Sequence, residues 1–264
     1  MDIIRSDEGL RVLLINLLAE KLGRHAILKG GMVLRLLDCP RYTNDLDYVF
    51  IPFKSKKEIV PLILQALESI EGGSVQHRIH STNAQFDVAV KNSFGTFQTQ
   101  IEANVSDHCE AQSLTTGEFA LQFQQAPRII RVMRFDVMLS HKLAAWNERR
   151  LMRDLYDAHF ICKSLNGVPN LEILQKRLDA IHYAKRMYGK ALPKKMSLEE
   201  FWKVLALALK ELTSEDLENE LRDHLDKHQL SGLDKKIAIV LTQMMDQITA
   251  APPTAPVRRR GRPM

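Results

Sequence analysis

Apolar residues recur at helical spacing over residues 7–23, where Leu10, Leu13, Leu14, Leu17, Leu18 and Leu22 repeat, Asp7 and Glu8 open the run and Gly23 closes it. The spacing predicts a helix. A short apolar strand is expected over 25–28, then the turn Lys29-Gly30-Gly31. A short helix over 32–37 follows, carried by Met32, Val33, Leu36 and Leu37 and ended by Cys39-Pro40. The run from Asp45 to Ile51 alternates at first and then passes into β-formers before Pro52, as a strand leaving a polar loop does. Helical spacing returns over 59–70 and stops at Gly72-Gly73. Strands are expected over 75–80, 86–90 and 97–105, with a hairpin turn between Asn92 and Gly95, and the segment 129–133 fits one more. From Asp136 onward the pattern is helical. This order, α/β first and helical second, divides the chain into a core over 1–130 and a helical domain over 131–249. The segment 250–264, rich in Pro, Ala and Arg and without a core-building pattern, reads as a disordered basic tail.

Composition narrows the class. With 264 residues, 45% apolar and 26% charged, the chain can build one large core or two smaller ones. Apolar runs such as 12–18 and 204–209 are too short or too interrupted to cross a bilayer, and the first residues lack a signal-peptide layout. A cytoplasmic protein without a membrane partner is expected. Cys39, Cys109 and Cys162 lie far apart with no zinc-site spacing, and read as reduced thiols. The net charge of +5 owes four charges to Arg258, Arg259, Arg260 and Arg262, which leaves the body close to neutral. Any nucleic-acid contact on the body must therefore come from local clustering. Lys176, Arg177, Lys185, Arg186, Lys190, Lys194 and Lys195, interleaved with His182, Tyr183 and Tyr188, form one such cluster, although a solvated helical surface has the same composition.

The chemistry concentrates in three places. Lys29-Gly30-Gly31 stands where a strand turns into a helix; glycines there let the backbone approach a phosphate, and an ordinary tight turn also uses them. Asp45 and Asp47 come next, two carboxylates at i and i+2 on one face of a strand. Two like charges at that spacing raise each other's pKa unless a cation neutralises them. Mg²⁺ or Mn²⁺, which accept one or two carboxylates plus substrate phosphates, suit the pair. Glu102, between Ile101 and Ala103, either completes a set of three metal ligands or lies on a solvent face with Gln98, Gln100 and Asn104. The third place is the run from Lys142 to Asp157. In a continuous helix Lys142, Arg149, Arg153 and Asp157 share a stripe suited to phosphates, and Asp154 is rotated away. A break near Arg150 changes that arithmetic, so both acids stand as candidates.

Lys29-Gly30-Gly31 with Asn44-Asp45-Leu46-Asp47 resembles the DNA polymerase beta-type nucleotidyltransferase superfamily. Together with the later Lys-x-x-Ala-x-x-x-Arg-x-x-x-Arg-Asp-x-x-Asp over 142–157, it is similar to the AbiEii/AbiGii toxin family within it, over roughly 21–165. The resemblance implies a nucleotidyltransferase-type mixed sheet with flanking helices, followed by a mostly helical C-terminal domain. It implies a metal-dependent toxin of a type IV toxin–antitoxin or phage-defence system that moves NMP from an NTP to an acceptor, the 3′ end of tRNA, with a cognate antitoxin encoded nearby. Asp45 and Asp47 would then hold the metal, and Lys29, Gly30, Gly31, Arg149 and Arg153 the nucleotide. Lys142, placed in the active site facing Asp45 and Asp47, would neutralise phosphate charge, its loss costing activity with little change in stability, and Asp154 or Asp157 would orient Lys142 or the acceptor. Many members of the superfamily carry Ser where this chain has Gly31. Two alternatives stay open: transfer to a protein or a small molecule, and a DNA-binding adaptor acting through Arg258-Arg259-Arg260-Gly261-Arg262-Pro263, which resembles the core of an AT-hook.

Overall fold

The Ser6 hydroxyl accepts a hydrogen bond from the Gly9 amide at 3.0 Å and starts helix α1 (Asp7–Leu22), whose acidic first turn complements the helix dipole. The computed structural model describes residues 4–181, 186–187, 190–191 and 195–250. After α1 come β1 (Ala26–Lys29), α2 (Gly31–Arg35), β2 (Asp45–Phe50), α3 (Lys56–Leu67), β3 (Gly73–Ile79), β4 (Ala84–Asn92) and β5 (Gly95–Val105). The expected hairpin turn is present, Asn92 pairing with Gly95 at the end of the β4–β5 ladder. Two elements escaped the sequence pattern: β6 (Ala111–Thr115), a short edge strand, and α4 (Gly117–Gln122), too brief to show a helical period. Then β7 (Ile129–Met133) closes the sheet.

These strands form one mixed sheet in the order β3-β4-β5-β2-β1-β7-β6. The hairpin partners and β1–β2 run antiparallel, whereas β2–β5 and β1–β7 run parallel. The pleat sorts the side chains. Leu46 and Tyr48 stand in register with Ile101 and Ala103, and these with Phe86 and Ala84, all buried on one face. The opposite face carries Asp45 and Asp47 in register with Gln100 and Glu102, and these with Asp87 and Gln85.

The helical half comprises α5 (Phe135–Arg149), α6 (Met152–Leu165), α7 (Leu171–Leu178), a small ribbon of β8 (Arg186–Met187) and β9 (Lys190–Ala191), then α8 (Leu198–Glu211), α9 (Ser214–Leu221), α10 (Lys227–Leu230) and α11 (Leu233–Ala250). Its apolar residues join those of the sheet in one buried cluster running from Ile4 to Met245. Residues 182–185, 188–189, 192–194 and the basic tail from 251 lie outside the described residues, and with them half of the basic–aromatic cluster and the whole AT-hook-like run.

A continuous helix through Lys142 and Asp157 does not form. Arg150 takes a left-handed conformation, φ 56°, and separates α5 from α6. The helices fold back, so Asp154 and Asp157 both face Lys142 instead of one being turned away. The Lys142 ammonium lies 2.7 Å from Asp157 Oδ2 and 3.6 Å from Asp154 Oδ1, and both acids are 0% exposed. Asp157 also accepts two bonds, at 2.7 and 2.8 Å, from Arg41 in the loop after α2, while Arg149 Nη2 donates to both Asp154 oxygens at 2.9 and 2.8 Å. Burial pushes the Asp157 carboxyl up, but Lys142 and Arg41 outweigh it and hold the group below the usual carboxylate range. Lys142 is thus held between two fully buried acids, so its loss bears on stability, contrary to the expectation from sequence.

His159, on α6, is buried with neither ring nitrogen hydrogen-bonded among the described residues. Burial, reinforced by Lys163 and Lys236, lowers its pKa to about 4. His141 is lowered to about 4 by burial, then by Arg177 and Lys29.

Both kinds of buried group can be tested by unfolding. Asp157→Ala leaves two buried cations without their shared anion, so denaturant unfolding is expected to show a loss of about 3–5 kcal/mol; a loss as small as that of an exposed salt bridge would contradict the network. For His159 the folded state refuses a proton that the unfolded state accepts. Stability therefore falls as pH drops from about 6.5 towards about 4. Urea midpoints across that range are expected to fall less steeply in His159→Leu, and identical slopes in the two proteins would contradict this.

Candidate functional site

Gly30 links β1 to α2 at φ 76°, a conformation that side chains rarely tolerate, and a Cβ there would collide with Asp47 Oδ2. The turn and the carboxylate are thus built against each other. Gly31 has its own local cause: an added Cβ would meet Arg41 Nη2 at 2.8 Å and Thr43 Oγ1 at 3.0 Å. The volume that a serine would use is already occupied by the guanidinium bound to Asp157.

Asp45 and Asp47 share the polar face of β2, as alternation predicts. Burial, and next the charge of Asp47, raise the Asp45 carboxyl above the usual range; Arg153 and Arg11 oppose this in part. The Lys29 ammonium lies 3.4 Å from Asp47 Oδ1. Glu102 stands beside Asp47 in register on β5, and its Oε2 accepts a 3.0 Å bond from Asn83.

Two clefts flank the carboxylate pair. One, of about 490 Å³, is lined by Lys29, Gly30, Asp47, Lys142, Arg149 and Arg177 among others. The other, of about 500 Å³, lies on the Asp45 side and reaches Arg11 of α1. The structure therefore brings Lys29, Gly30, Asp47, Lys142 and Arg149 to one cavity, with Asp154 and Asp157 buried behind Lys142. Arg153 is exposed and acts on Asp45 by its charge, away from Arg149, because the break at Arg150 splits the expected stripe. Arg177, which the sequence places in a basic RNA-facing cluster, instead lines the Lys142 cleft and pairs with buried Glu148 at 3.0 Å.

Sequence pattern missed Arg41, which sits in an aperiodic loop, and Arg11, whose signal was readable: one cation inside Leu10-Arg11-Val12-Leu13-Leu14 falls on the buried arc of α1. It missed Glu148 and His141 because their placement depends on how α5 meets α7.

Whether a divalent cation fits can be judged from the donors. Among the described residues no group of three or more His, Cys, Asp or Glu is arranged to hold a metal. A two-carboxylate set whose like charge is only partly relieved by Arg153 and Arg11 fits a cation that completes its shell with substrate phosphates, the habit of Mg²⁺ and Mn²⁺. It does not make a self-sufficient cage. Among the described residues no helix is long and apolar enough to cross a membrane.

No curated protein shows significant sequence similarity to the chain. Among solved structures it is similar to JHP933 from Helicobacter pylori, with 16% identity, 92% of each chain covered and a TM-score of 0.58, which speaks for the fold. A GLD-2/RNP-8 complex, at 14% identity over 78% of this chain and 77% of that one, has a TM-score of 0.30, too slight a likeness to inform the fold. The family model described as "Nucleotidyl transferase AbiEii toxin, Type IV TA system" matches residues 11–239, a span that holds the glycine turn, both carboxylates and the α5–α6 fold-back. The chain belongs to the AbiEii family of nucleotidyl transferase toxins of type IV toxin–antitoxin systems.

Proposed function

We propose that the chain transfers NMP from an NTP to an RNA hydroxyl, the 3′ end of tRNA, with a divalent cation, in partnership with a cognate antitoxin and as part of a phage defence. The observation that carries the chemistry is the convergence of Lys29, the Gly30 turn, Asp47 and Lys142 on one cleft, with Asp45 on the same strand face lining the neighbouring one. Asp45 and Asp47 would hold Mg²⁺ or Mn²⁺, which supplies charge neutralisation on the phosphates. The backbone at Gly30 lets the triphosphate approach closely, and Lys29 and Arg149 bring it countercharge, whereas Arg153, expected to join them, lies outside that cleft. The acceptor hydroxyl gives its proton to solvent and its oxygen bonds to the α-phosphorus as the bond from that phosphorus to the bridging oxygen breaks, and pyrophosphate leaves on that oxygen. Lys142, held by Asp154 and Asp157, meets the charge that develops on the phosphates. Glu102, the expected third ligand, stands in register with Asp47 on β5 and is hydrogen-bonded to Asn83; it forms no three-acid group with the pair among the described residues, so the cation would rest on Asp45 and Asp47.

The deciding experiment incubates the protein with each labelled NTP, Mg²⁺ or Mn²⁺, and total cellular RNA. Label in a tRNA-sized band supports the reading. Label on protein or on a small molecule would replace the acceptor, and no transfer under any condition would remove the reading.

Asp45→Asn and Asp47→Asn are each expected to reduce transfer to background. Melting is expected to stay equal or, for Asp45→Asn, to rise, since its charge is opposed by burial and by Asp47. Near-normal transfer in both variants would exclude the pair from the chemistry. Lys142→Ala is expected to lower turnover per folded molecule about a hundredfold, with Lys142→Arg recovering only part, because a planar fork does not replace a compact ammonium. It should also melt earlier than wild type, as its two acids lose their shared cation. Normal turnover in the folded fraction would leave Lys142 with a purely structural role.

A further inference from the structure

Arg11 is 6% exposed on α1, yet it makes no hydrogen bond or ion pair among the described residues, and its Nε is buried without a partner. Burying a guanidinium unpaired is costly, and the nearby acids relieve it only in part. Glu8 is held by Arg35 at 2.8 Å, and Asp7 accepts the Gln98 amide at 2.8 Å. Burial accordingly holds Arg11 below its ordinary range, opposed in part by Glu8, Asp7 and Asp45.

This side chain lines the cleft on the Asp45 side, about 500 Å³ in volume, whose floor is the polar face of β4 and β5. Asn44, Gln76, Gln98 and Gln100 line it as well. Asp87 accepts bonds from Gln85 at 2.9 Å and Gln100 at 3.0 Å, which fixes those amides within the sheet face. The two clefts differ in charge. The Lys142 cleft gathers Lys29, Lys142, Arg149 and Arg177 against Asp47 and Glu148. Among the described residues Arg11 is the cation lining the Asp45 cleft, which holds Asp7, Asp45 and Asp87. With Asp45 given to the cation, one guanidinium against two carboxylates repels a triphosphate but leaves a single anchor for one phosphodiester, and carboxamides offer both donors and acceptors to a base edge.

We propose that the Asp45-side cleft binds the acceptor RNA, with Arg11 on a backbone phosphate of its terminal nucleotides, so that nucleotide and acceptor enter from opposite sides of the Asp45–Asp47 pair. This rests on the reading of the chain as a transferase acting on RNA.

The test compares full-length wild type with Arg11→Gln, Arg11→Lys and Gln76→Glu, using unfractionated tRNA in anisotropy binding and in steady-state transfer. Arg11→Gln is expected to weaken tRNA binding and raise the KM for tRNA about tenfold or more, with the KM for NTP within about twofold. The salt dependence of binding should become shallower by about one phosphate contact, and Arg11→Lys should recover part of the affinity. Gln76 is exposed, so Gln76→Glu, which adds a negative charge to the cleft, should weaken tRNA binding several-fold without lowering the melting temperature; it decides the matter if Arg11→Gln does not fold. Unchanged tRNA affinity in these variants, or a parallel rise in the KM for NTP, overturns the proposal while leaving RNA transfer standing. A wild-type protein that neither labels nor binds RNA overturns both, and label on a protein acceptor assigns the cleft to that class instead.

Discussion

Asp157 is the point at which the two halves of the molecule are tied. Its carboxylate, fully buried, takes two bonds from Arg41 in the loop between α2 and β2 and one from Lys142 on α5. A charge so far from water persists only when its partners neutralise it, so loop, helix and acid hold one another in place. Everything near the glycine turn inherits that constraint. Arg41 fills the space beside Gly31, Lys142 projects into the cleft that Gly30 borders, and Asp154 takes the second position on the same ammonium. The resulting cavity is shaped by ion pairs at its back and by the sheet at its floor.

The carboxylate pair shows a complementary economy. Asp45 and Asp47 are placed by nothing more than strand alternation, and the close fit of Gly30 against Asp47 lets the turn approach them. The cost is electrostatic: burial and Asp47 both oppose the charge on Asp45. A site that is destabilised by its own charges in the free protein gains most when a cation and its phosphates arrive, which is how a stored electrostatic cost becomes binding selectivity.

Much of this was legible in the sequence, for reasons that differ by element. The strands from β2 to β5 announced themselves because alternation decides which face is buried, and the asparagine-to-glycine hairpin turn came from local backbone preference. The motif over 142–157 was visible as residue types at fixed spacing, yet its geometry was not, since a single left-handed residue at Arg150 re-aims the whole of α6. Strand β6 and helix α4 stayed hidden because each is stabilised by what it packs against, not by its own pattern. Arg41 and Arg177 were unreadable as site-lining groups: their partners lie 116 and 29 residues away in the chain, and no window of sequence holds both ends.

The fold-back at Arg150 carries a consequence for how such a chain can diverge. Each residue added to or removed from an α-helix rotates the remainder of that helix by about 100°. A single insertion within α6 between Asp154 and Asp157 would turn the two acids about 100° apart from their present spacing, so that both could no longer face the Lys142 ammonium. Side chains along α5 and α6 can be exchanged wherever they face solvent, but the count of residues between Asp154 and Asp157 cannot drift. In this stretch the protein is permissive to substitution and closed to insertion or deletion, so its length is a firmer signature than most of its letters.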